Sequence, residues 1–289
     1  MEIMVGKTAG FCYGIKRAIE GSQNLMNDNL KKIYCLGEMA HNKQVMLELE
    51  KKGIQFIETI DEISKEVVIF RPHGIPKNIY EQARNQGIEI IDYTCPHVLK
   101  VHEIAEEFEK LGYYIFLTGK QNHPEVIGTI SHCGNQYSLI TSKEDIDQAI
   151  KTLAKSGMKK LLIISQTTFN LKKFEDIVKM IAVKTSEDID ITVKNTICNA
   201  TQVRQKETED LSKKVDIMII IGGKNSDNTK KLYEIAKANC DKAIWIETKE
   251  EIEKSLFENM KNMKIGIMAG ASTPQKSIDE VIQKLYANE

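Results

Sequence analysis

Three of the six cysteines occupy the same kind of position in the sequence. Cys12, Cys95 and Cys198 each come directly before a segment whose apolar spacing predicts a helix. Runs rich in β-branched residues that predict strands precede Cys95 and Cys198, whereas the run before Cys12 is short. The N-terminus of a helix favours the ionised form of a thiol, and thiolates are ligands of soft metals. If the fold brings these three thiolates together, they predict a soft metal centre.

An iron–sulfur cluster is the centre that best suits three thiolates. A cubane of four irons bound by only three cysteines would leave one iron open to another ligand, which predicts chemistry rather than electron storage alone. The alternative is that these cysteines are buried structural thiols, which is the commonest role of a cysteine. That structural interpretation is kept for the other three cysteines, which lie in or beside predicted strands or after a predicted helix: Cys35, Cys133 and Cys240.

A second candidate group lies in the stretch GKQNHPEVIG, directly after a predicted strand. It holds His123 and Glu125 on either side of a proline, so an imidazole and a carboxyl share one rigid turn. Such a pair could act as proton donor and relay, and an ordinary surface turn is the alternative. The remaining histidines are interpreted as structural or exposed: His97, His102 and His132.

Further polar loops could bind an anion. Two imidazoles, His41 and His73, follow predicted strands and precede predicted helices, whose N-termini favour negative charge. Hydroxyl and amide donors in similar loops are Thr167 and Thr168 in SQTT, Ser226 and Asn228 in GGKNSDNT, and Ser272 in AGASTP. Ordinary helix caps are the alternative for the serines and the asparagine. Because no dense cluster of Lys and Arg accompanies these loops, a bound anion would be held mainly by neutral donors, imidazoles and helix dipoles.

The elements that must position these residues alternate along the chain. Short β-branched runs are followed by helix-like segments, which predicts an α/β fold with mainly parallel sheets. A weak repeat around the three cysteine loops predicts three similar α/β domains over residues 1–95, 96–196 and 197–289, although the N-terminal strand could pack elsewhere. In parallel sheets, ligands gather beyond the carboxyl ends of the strands, where nearly all of these polar residues fall. Three sheets arranged around one centre would therefore bring the three cysteines together.

Composition narrows the class of protein. The 289 residues carry a formal net charge of −1, which gives no reason to expect a nucleic-acid partner. The first residues lack the pattern of a signal peptide and the apolar runs are too short to span a membrane, so the sequence predicts a cytoplasmic protein. Six cysteines are too few for a disulfide scaffold in a chain of this length, and CxxC pairs are absent.

Eight motifs together resemble the 4-hydroxy-3-methylbut-2-enyl diphosphate reductase family, in the family's order and over almost the whole chain. They are GFCYGIKRA, RPHG, DYTCPHVLKVH, GKQNHPEVIG, SQTT, NTICNATQVRQ, GGKNSDNT and AGASTP. The resemblance implies three α/β domains around a central [4Fe-4S] cluster. It also implies a reductive dehydroxylation, the last step of the methylerythritol phosphate route to isoprenoids, with ferredoxin or flavodoxin as electron donor.

The resemblance implies a role for each candidate residue. Cys12, Cys95 and Cys198 would hold the cluster, whose unique iron would bind the substrate hydroxyl. Glu125 would deliver the proton and Thr167 would orient the hydroxyl, with Thr168 as a supporting neighbour. The diphosphate would lie among His41, His73, His123, Ser226, Asn228 and Ser272.

Two positions depart from the family pattern. Asp227 stands where a serine is usual in the phosphate loop, and Tyr93 replaces a small residue before Thr94 and Cys95. A carboxylate facing a diphosphate would repel it, so we expect Asp227 to use its backbone N–H or to cap the helix, with its side chain turned away. The tyrosine changes packing near Cys95 but removes no ligand.

Two other classes of protein fit part of the pattern. A cysteine-dependent hydrolase or transferase would pair one thiol with His123, but it leaves two cysteines without a role. A non-catalytic iron–sulfur sensor would need the thiols but not the HPE turn or the phosphate loops.

Overall fold

The structure, a computed structural model, describes residues 1–28, 32–253 and 262–287. Its described strands form three four-stranded sheets in which all neighbouring strands run parallel. The strands are β1 (Glu2–Val5), β2 (Ile33–Leu36), β3 (Ile54–Ile57), β4 (Val67–Phe70), β5 (Glu89–Asp92), β6 (Tyr114–Thr118), β7 (Tyr137–Ile140), β8 (Lys160–Ser165), β9 (Asp190–Val193), β10 (Ile217–Ile221), β11 (Lys242–Ile246) and β12 (Lys264–Ala269). The predicted α/β fold with mainly parallel sheets is confirmed.

Helices connect most of these strands and lie beside the sheets. The helices are α1 (Tyr13–Asp28), α2 (Lys43–Lys51), α3 (Lys77–Asn85), α4 (Pro96–Lys110), α5 (Pro124–Ile130), α6 (Ile146–Ser156), α7 (Leu171–Lys184), α8 (Asn199–Ser212), α9 (Asp227–Asn239) and α10 (Gln275–Ala287). Across residues 1–28, 32–253 and 262–287, none of the helices combines the length and the hydrophobicity needed to cross a membrane.

All three sheets share one strand order. The first sheet is β3-β2-β4-β5 and the second is β7-β6-β8-β9, so the fourth strand in chain order lies at an edge. The third sheet, β11-β10-β12-β1, has the same order, with the N-terminal strand in the place of the fourth. In that sheet β1 pairs with β12, from Glu2 opposite Lys264 to Val5 opposite Ile267. The domain boundaries near residues 95 and 196 stay a prediction.

The common strand order gives the three predicted metal-binding cysteines equivalent positions. Cys95 follows β5, Cys198 follows β9 and Cys12 follows β1, so each comes after the edge strand that occupies the fourth place in its sheet. Each is also followed directly by a helix: α4, α8 and α1. The short run before Cys12 is therefore a full member of the pattern.

The chain divides into two compact units. The terminal unit comprises Met1–Asn27, Glu38–Gly53 and Asn199–Glu289, and it holds the third sheet. The central unit comprises Asp28–Gly37 and Ile54–Cys198, and it holds the first and second sheets. In both units the inner strands are almost entirely buried, as expected of parallel sheets covered on both faces.

A buried histidine joins three elements of the central unit. His102 on α4 is only 5% exposed and stacks on His132, with ring centroids 4.5 Å apart. A Cβ atom at Gly74, where φ is +84°, would lie 2.9 Å from His102 Cε1, and one at Gly128 of α5 would lie 3.4 Å from Nε2. Burial lowers the pKa of His102 to about 4, helped by His132 and opposed by Asp92. His102 is therefore a neutral ring that packs against the RPHG loop and α5.

Because His102 is buried as a neutral ring, we expect the free energy of unfolding to fall as the pH is lowered from 6.5, its ordinary pKa, towards about 4. In that range the unfolded chain binds a proton at this residue and the folded chain does not. A shift of this size corresponds to roughly 3 kcal/mol. Denaturant unfolding at a series of pH values should show a shallower pH dependence for His102→Gln than for the wild type. The exposed His97 on the same helix provides the control, since His97→Gln should keep the wild-type slope; equal slopes for all three proteins would contradict the assignment.

Candidate functional site

The central unit brings Glu125 and Thr167 into direct contact. Glu125 lies at the start of α5 and is 2% exposed, so its carboxylate is almost completely removed from water. Its two oxygens accept hydrogen bonds from Thr167, one from the backbone N–H (2.5 Å) and one from the hydroxyl (2.9 Å). A buried carboxylate must have such partners. The pair predicted from HPE and SQTT is thus a single hydrogen-bonded group.

His123 caps the helix that carries Glu125. Its Nδ1 accepts a hydrogen bond from the Glu125 backbone N–H at 3.1 Å, and Pro124 occupies the first position of the helix. Because Nδ1 accepts, the proton of the neutral imidazole must be on Nε2. The His73 ring lies 6.0 Å from the His123 ring, in an edge-on arrangement. The predicted turn therefore supplies a fixed N–H donor beside a buried carboxylate.

The two predicted metal-binding cysteines of the central unit, Cys95 and Cys198, are bonded to these same loops. The backbone N–H of Cys198 donates to the Thr167 carbonyl at 3.0 Å. The backbone N–H of Cys95 donates to the Pro72 carbonyl at 3.0 Å, directly before His73. The backbone of each of these two cysteines is therefore fixed to a loop that is predicted to bind substrate or to take part in catalysis.

Sequence reasoning missed Gln166, which fixes the position of Thr168. The Gln166 amide nitrogen donates to the Thr168 hydroxyl at 2.9 Å, and its oxygen accepts from the Lys120 backbone N–H at 3.1 Å. This buried side chain joins the SQTT loop to the loop that leads to HPE. Its position directly after β8 is the signal in the sequence that could have identified it, but the prediction named only the two threonines that follow it.

The terminal unit holds the other predicted residues: Cys12, His41, Ser226, Asn228 and Ser272. The Cys12 backbone N–H donates to the Ala271 carbonyl at 3.1 Å, which places the Cys12 loop beside the loop of Ser272. A Cβ atom at Gly223 would lie 2.4 Å from the His41 carbonyl, so the His41 loop lies against the GGKNSDNT loop. Within this unit, the Cys12 loop therefore contacts the Ser272 loop, and the His41 loop contacts the GGKNSDNT loop.

Ser226 and Asn228 share the start of α9. Ser226 is the N-cap, and its hydroxyl accepts from the Thr229 backbone N–H at 3.2 Å. The cap is therefore Ser226 rather than Asp227, which occupies the first turn. Among the residues that the structure describes, the buried Asn228 Nδ2 has no hydrogen-bond partner. Buried donors are nearly always paired, so this one fits a site that receives an anionic ligand.

Glu38 was also missed by the sequence interpretation. Its carboxylate lies 3.1 Å from His41 Nδ1 and accepts a hydrogen bond from Asn225 Nδ2 at 3.4 Å. A proton on Nδ1 would be held by this carboxylate, which orients the imidazole. Glu38 thus orients the ring of His41, a residue predicted to bind the diphosphate, and connects that ring to the phosphate loop.

The six cysteines fall into two classes of environment. Cys12, Cys95 and Cys198 are partly exposed thiols at helix starts. The other three are buried, and burial raises the pKa of Cys35 and of Cys133 to about 12 in each case. A metal ligand must be a thiolate with access to the metal, so only the first class fits an iron–sulfur group.

The predicted cysteine trio draws on both units, since Cys12 belongs to the terminal unit and the other two to the central unit. Within either unit, the described residues contain no group of three or more His, Cys, Asp or Glu side chains arranged to hold a metal ion. The convergence of the three thiols stays a prediction.

Comparison with known proteins identifies the family. The family described as LytB protein matches residues 3–286. A 4-hydroxy-3-methylbut-2-enyl diphosphate reductase of Caldanaerobacter subterraneus subsp. tengcongensis is 44% identical over 99% of this chain and 96% of its own. A reductase of the same name from Aquifex aeolicus is 39% identical, with the same coverage.

Two solved structures are similar over nearly the whole chain. One is the structure of (E)-4-hydroxy-3-methyl-but-2-enyl diphosphate reductase, the terminal enzyme of the non-mevalonate pathway, with a TM-score of 0.73, 38% identity and 99% of both chains covered. The other is E-1-hydroxy-2-methyl-but-2-enyl-4-diphosphate reductase from Plasmodium falciparum, with a TM-score of 0.87, 30% identity, and 98% of this chain and 87% of that chain covered. The resemblance seen in the eight motifs is confirmed, and the chain belongs to the LytB family, whose relatives named here are 4-hydroxy-3-methylbut-2-enyl diphosphate reductases.

Proposed function

We propose that this protein reduces 4-hydroxy-3-methylbut-2-enyl diphosphate to isopentenyl diphosphate and dimethylallyl diphosphate, the last step of the methylerythritol phosphate pathway. The reaction takes up two electrons and two protons, breaks the allylic C–O bond and releases water. The observation that carries the proposal is the buried Glu125–Thr167 pair, whose backbone is bonded to Cys198. The names of the full-length relatives support the same substrate.

Family membership implies an iron–sulfur cofactor, and we propose a [4Fe-4S] cluster held by Cys12, Cys95 and Cys198. The partial exposure of these thiols and their places at three helix starts support that ligand set. When bound, such a cluster supplies electrons one at a time and a Lewis-acidic iron that polarises the C–O bond. The proposed electron donor is ferredoxin or flavodoxin, and the proposed location is the cytoplasm, where thiols stay reduced.

The chain's own residues would bind the substrate and move the proton. The diphosphate would be bound by His41, His73, His123, Ser226, Asn228 and Ser272. Glu125 would protonate the leaving oxygen, and Thr167 would orient the substrate hydroxyl while Thr168 supports its loop. The burial of Glu125 and Thr167 supports this division of roles, because a site that excludes water protects a reactive allylic group.

Anaerobic purification tests the proposed function against the two alternative classes. Iron and sulfide analysis should detect the cluster, which a cysteine-dependent hydrolase would not contain. Turnover of the allylic diphosphate with a chemical reductant should yield both products, which a sensor would not form. Iron-free protein with hydrolase activity would defeat the proposal.

Replacing Glu125 by glutamine should remove the proton donor while keeping its size. We expect Glu125→Gln to retain its iron and to bind the diphosphate, and to lose at least about a hundredfold in turnover, because a positioned general acid contributes about that much or more. Anaerobic kinetics and iron analysis check this outcome. Glu103→Gln changes an exposed carboxylate on α4 that pairs only with Lys100 among the described ion pairs, and it should keep wild-type turnover. Full activity of Glu125→Gln would show that the proton comes from another group.

Replacing Cys198 by serine should weaken or abolish cluster binding, since a hydroxyl is a poor ligand for a soft metal. The matched control is Cys240→Ser, which changes a buried thiol of the third sheet's core and should leave the iron content unchanged. Iron, sulfide and the visible spectrum are measured on both variants. A fully loaded, fully active Cys198→Ser protein would contradict the ligand assignment.

Replacing Asn228 by alanine should weaken diphosphate binding by about tenfold or more, because it removes a donor that would bond to a charged oxygen. Inorganic pyrophosphate provides a probe whose affinity can be measured by calorimetry without turnover. Asp227→Asn is the control, since its side chain is expected to face away and binding should not weaken. Unchanged affinity in Asn228→Ala would remove this residue from the diphosphate site.

A further inference from the structure

A loop before Cys12 is held by two side chains from the middle of α8 in the terminal unit. This loop, residues 6–12 and called the Cys12 loop here, leaves the sheet at Gly6, whose N–H donates to the Ile267 carbonyl at 2.9 Å. It ends at Cys12, whose N–H donates to the Ala271 carbonyl at 3.1 Å. Between these two anchors the backbone turns through Gly10, where φ is +100°, so the loop is irregular and its polar groups need partners from elsewhere.

Two side chains one helical turn apart provide those partners. Arg204 donates from Nε to the Thr8 carbonyl and from Nη2 to the Gly10 carbonyl, both at 2.8 Å. Glu207 accepts from the Lys7 N–H at 2.6 Å, and its other oxygen accepts from the N–H and the hydroxyl of Thr8. The guanidinium thus binds two loop carbonyls while the carboxylate binds two loop N–H groups.

The chemistry of the two side chains suits a fixed loop. Arg204 is 4% exposed, and a buried guanidinium is costly unless its donors are used, which here ties it to two carbonyls at once. Partial burial by itself would raise the pKa of Glu207, but the hydrogen bonds from Thr8 and Lys7 outweigh it and lower that pKa below its ordinary value. Both side chains therefore act as charged partners, and losing either leaves loop backbone groups unpaired.

Arg204 and Glu207, together called the clamp here, connect two segments of the chain, each of which lies next to a proposed cluster ligand. Arg204 and Glu207 lie on α8, which begins directly after Cys198, and they hold the segment that ends at Cys12. We propose that Arg204 and Glu207 are positioning residues that fix the Cys12 backbone, and with it the Cys12 thiol, for cluster binding. This rests on the proposed function, and it assigns to two residues outside the predicted site the task of holding one ligand.

The test compares Arg204→Lys, Glu207→Gln and Thr8→Val with the control Lys206→Gln, which changes an exposed lysine between the two clamp residues. In anaerobically purified protein, the first three should release iron to a chelator about tenfold faster than the wild type, the change expected from losing one charge-assisted hydrogen bond. After iron removal, alkylation by iodoacetamide, read cysteine by cysteine by mass spectrometry, should rise at Cys12 relative to Cys95 and Cys198. Lys206→Gln should match the wild type in both measurements.

Two results would overturn the proposal: an unchanged alkylation ratio in all three variants, or an equal rise at all three cysteines, which would indicate general loosening. If Arg204→Lys does not fold, Glu207→Gln and Thr8→Val decide the outcome, because each removes only part of the clamp. Should the wild type contain no iron, the proposed function fails while the alkylation ratio still decides whether the clamp positions Cys12.

Discussion

In a parallel sheet the carboxyl ends of all the strands lie on the same side, and the candidate site depends on that constraint. In each of the three sheets, the strand in the fourth place leads through a short loop to a cysteine, and a helix begins directly after that cysteine. The third sheet obtains this strand from the N-terminus, since β1 completes it beside β12. Three equivalent strand–cysteine–helix connections thus arise from one repeated topology, although the sequences around them differ.

Burial separates the thiols that could serve as ligands from those that pack the core. Cys35 lies within β2, where the sheet is covered on both faces, and burial holds its proton firmly. Cys95 instead caps α4, where the chain leaves the sheet edge and the helix N-terminus favours negative charge. The same fold therefore buries one cysteine within a covered strand and leaves another partly exposed at the start of a helix.

Local patterns in the sequence predicted the sheets and the cysteine positions, because both leave periodic or terminal signals within a few residues. The partners of Thr8, by contrast, are Arg204 and Glu207, and pairing across so much chain leaves no local pattern. His102 is an intermediate case. The buried positions Val98, Val101, His102 and Ala105 of α4 follow helical spacing, and this spacing favours the structural one of the two interpretations that were left open for this histidine.

The Glu125–Thr167 pair also limits how a proton could be delivered. In the ionised form the carboxylate accepts from both the backbone N–H and the hydroxyl of Thr167. A backbone N–H can only donate, so it donates to Oε1 whether or not Oε2 carries a proton. The hydroxyl can both donate and accept, so a proton on Oε2 could be donated to Oγ1 while the hydroxyl hydrogen turns towards another acceptor. The Thr167 hydroxyl can thus keep a hydrogen bond to Glu125 in both protonation states, whereas alanine or valine at this position would leave only the backbone bond.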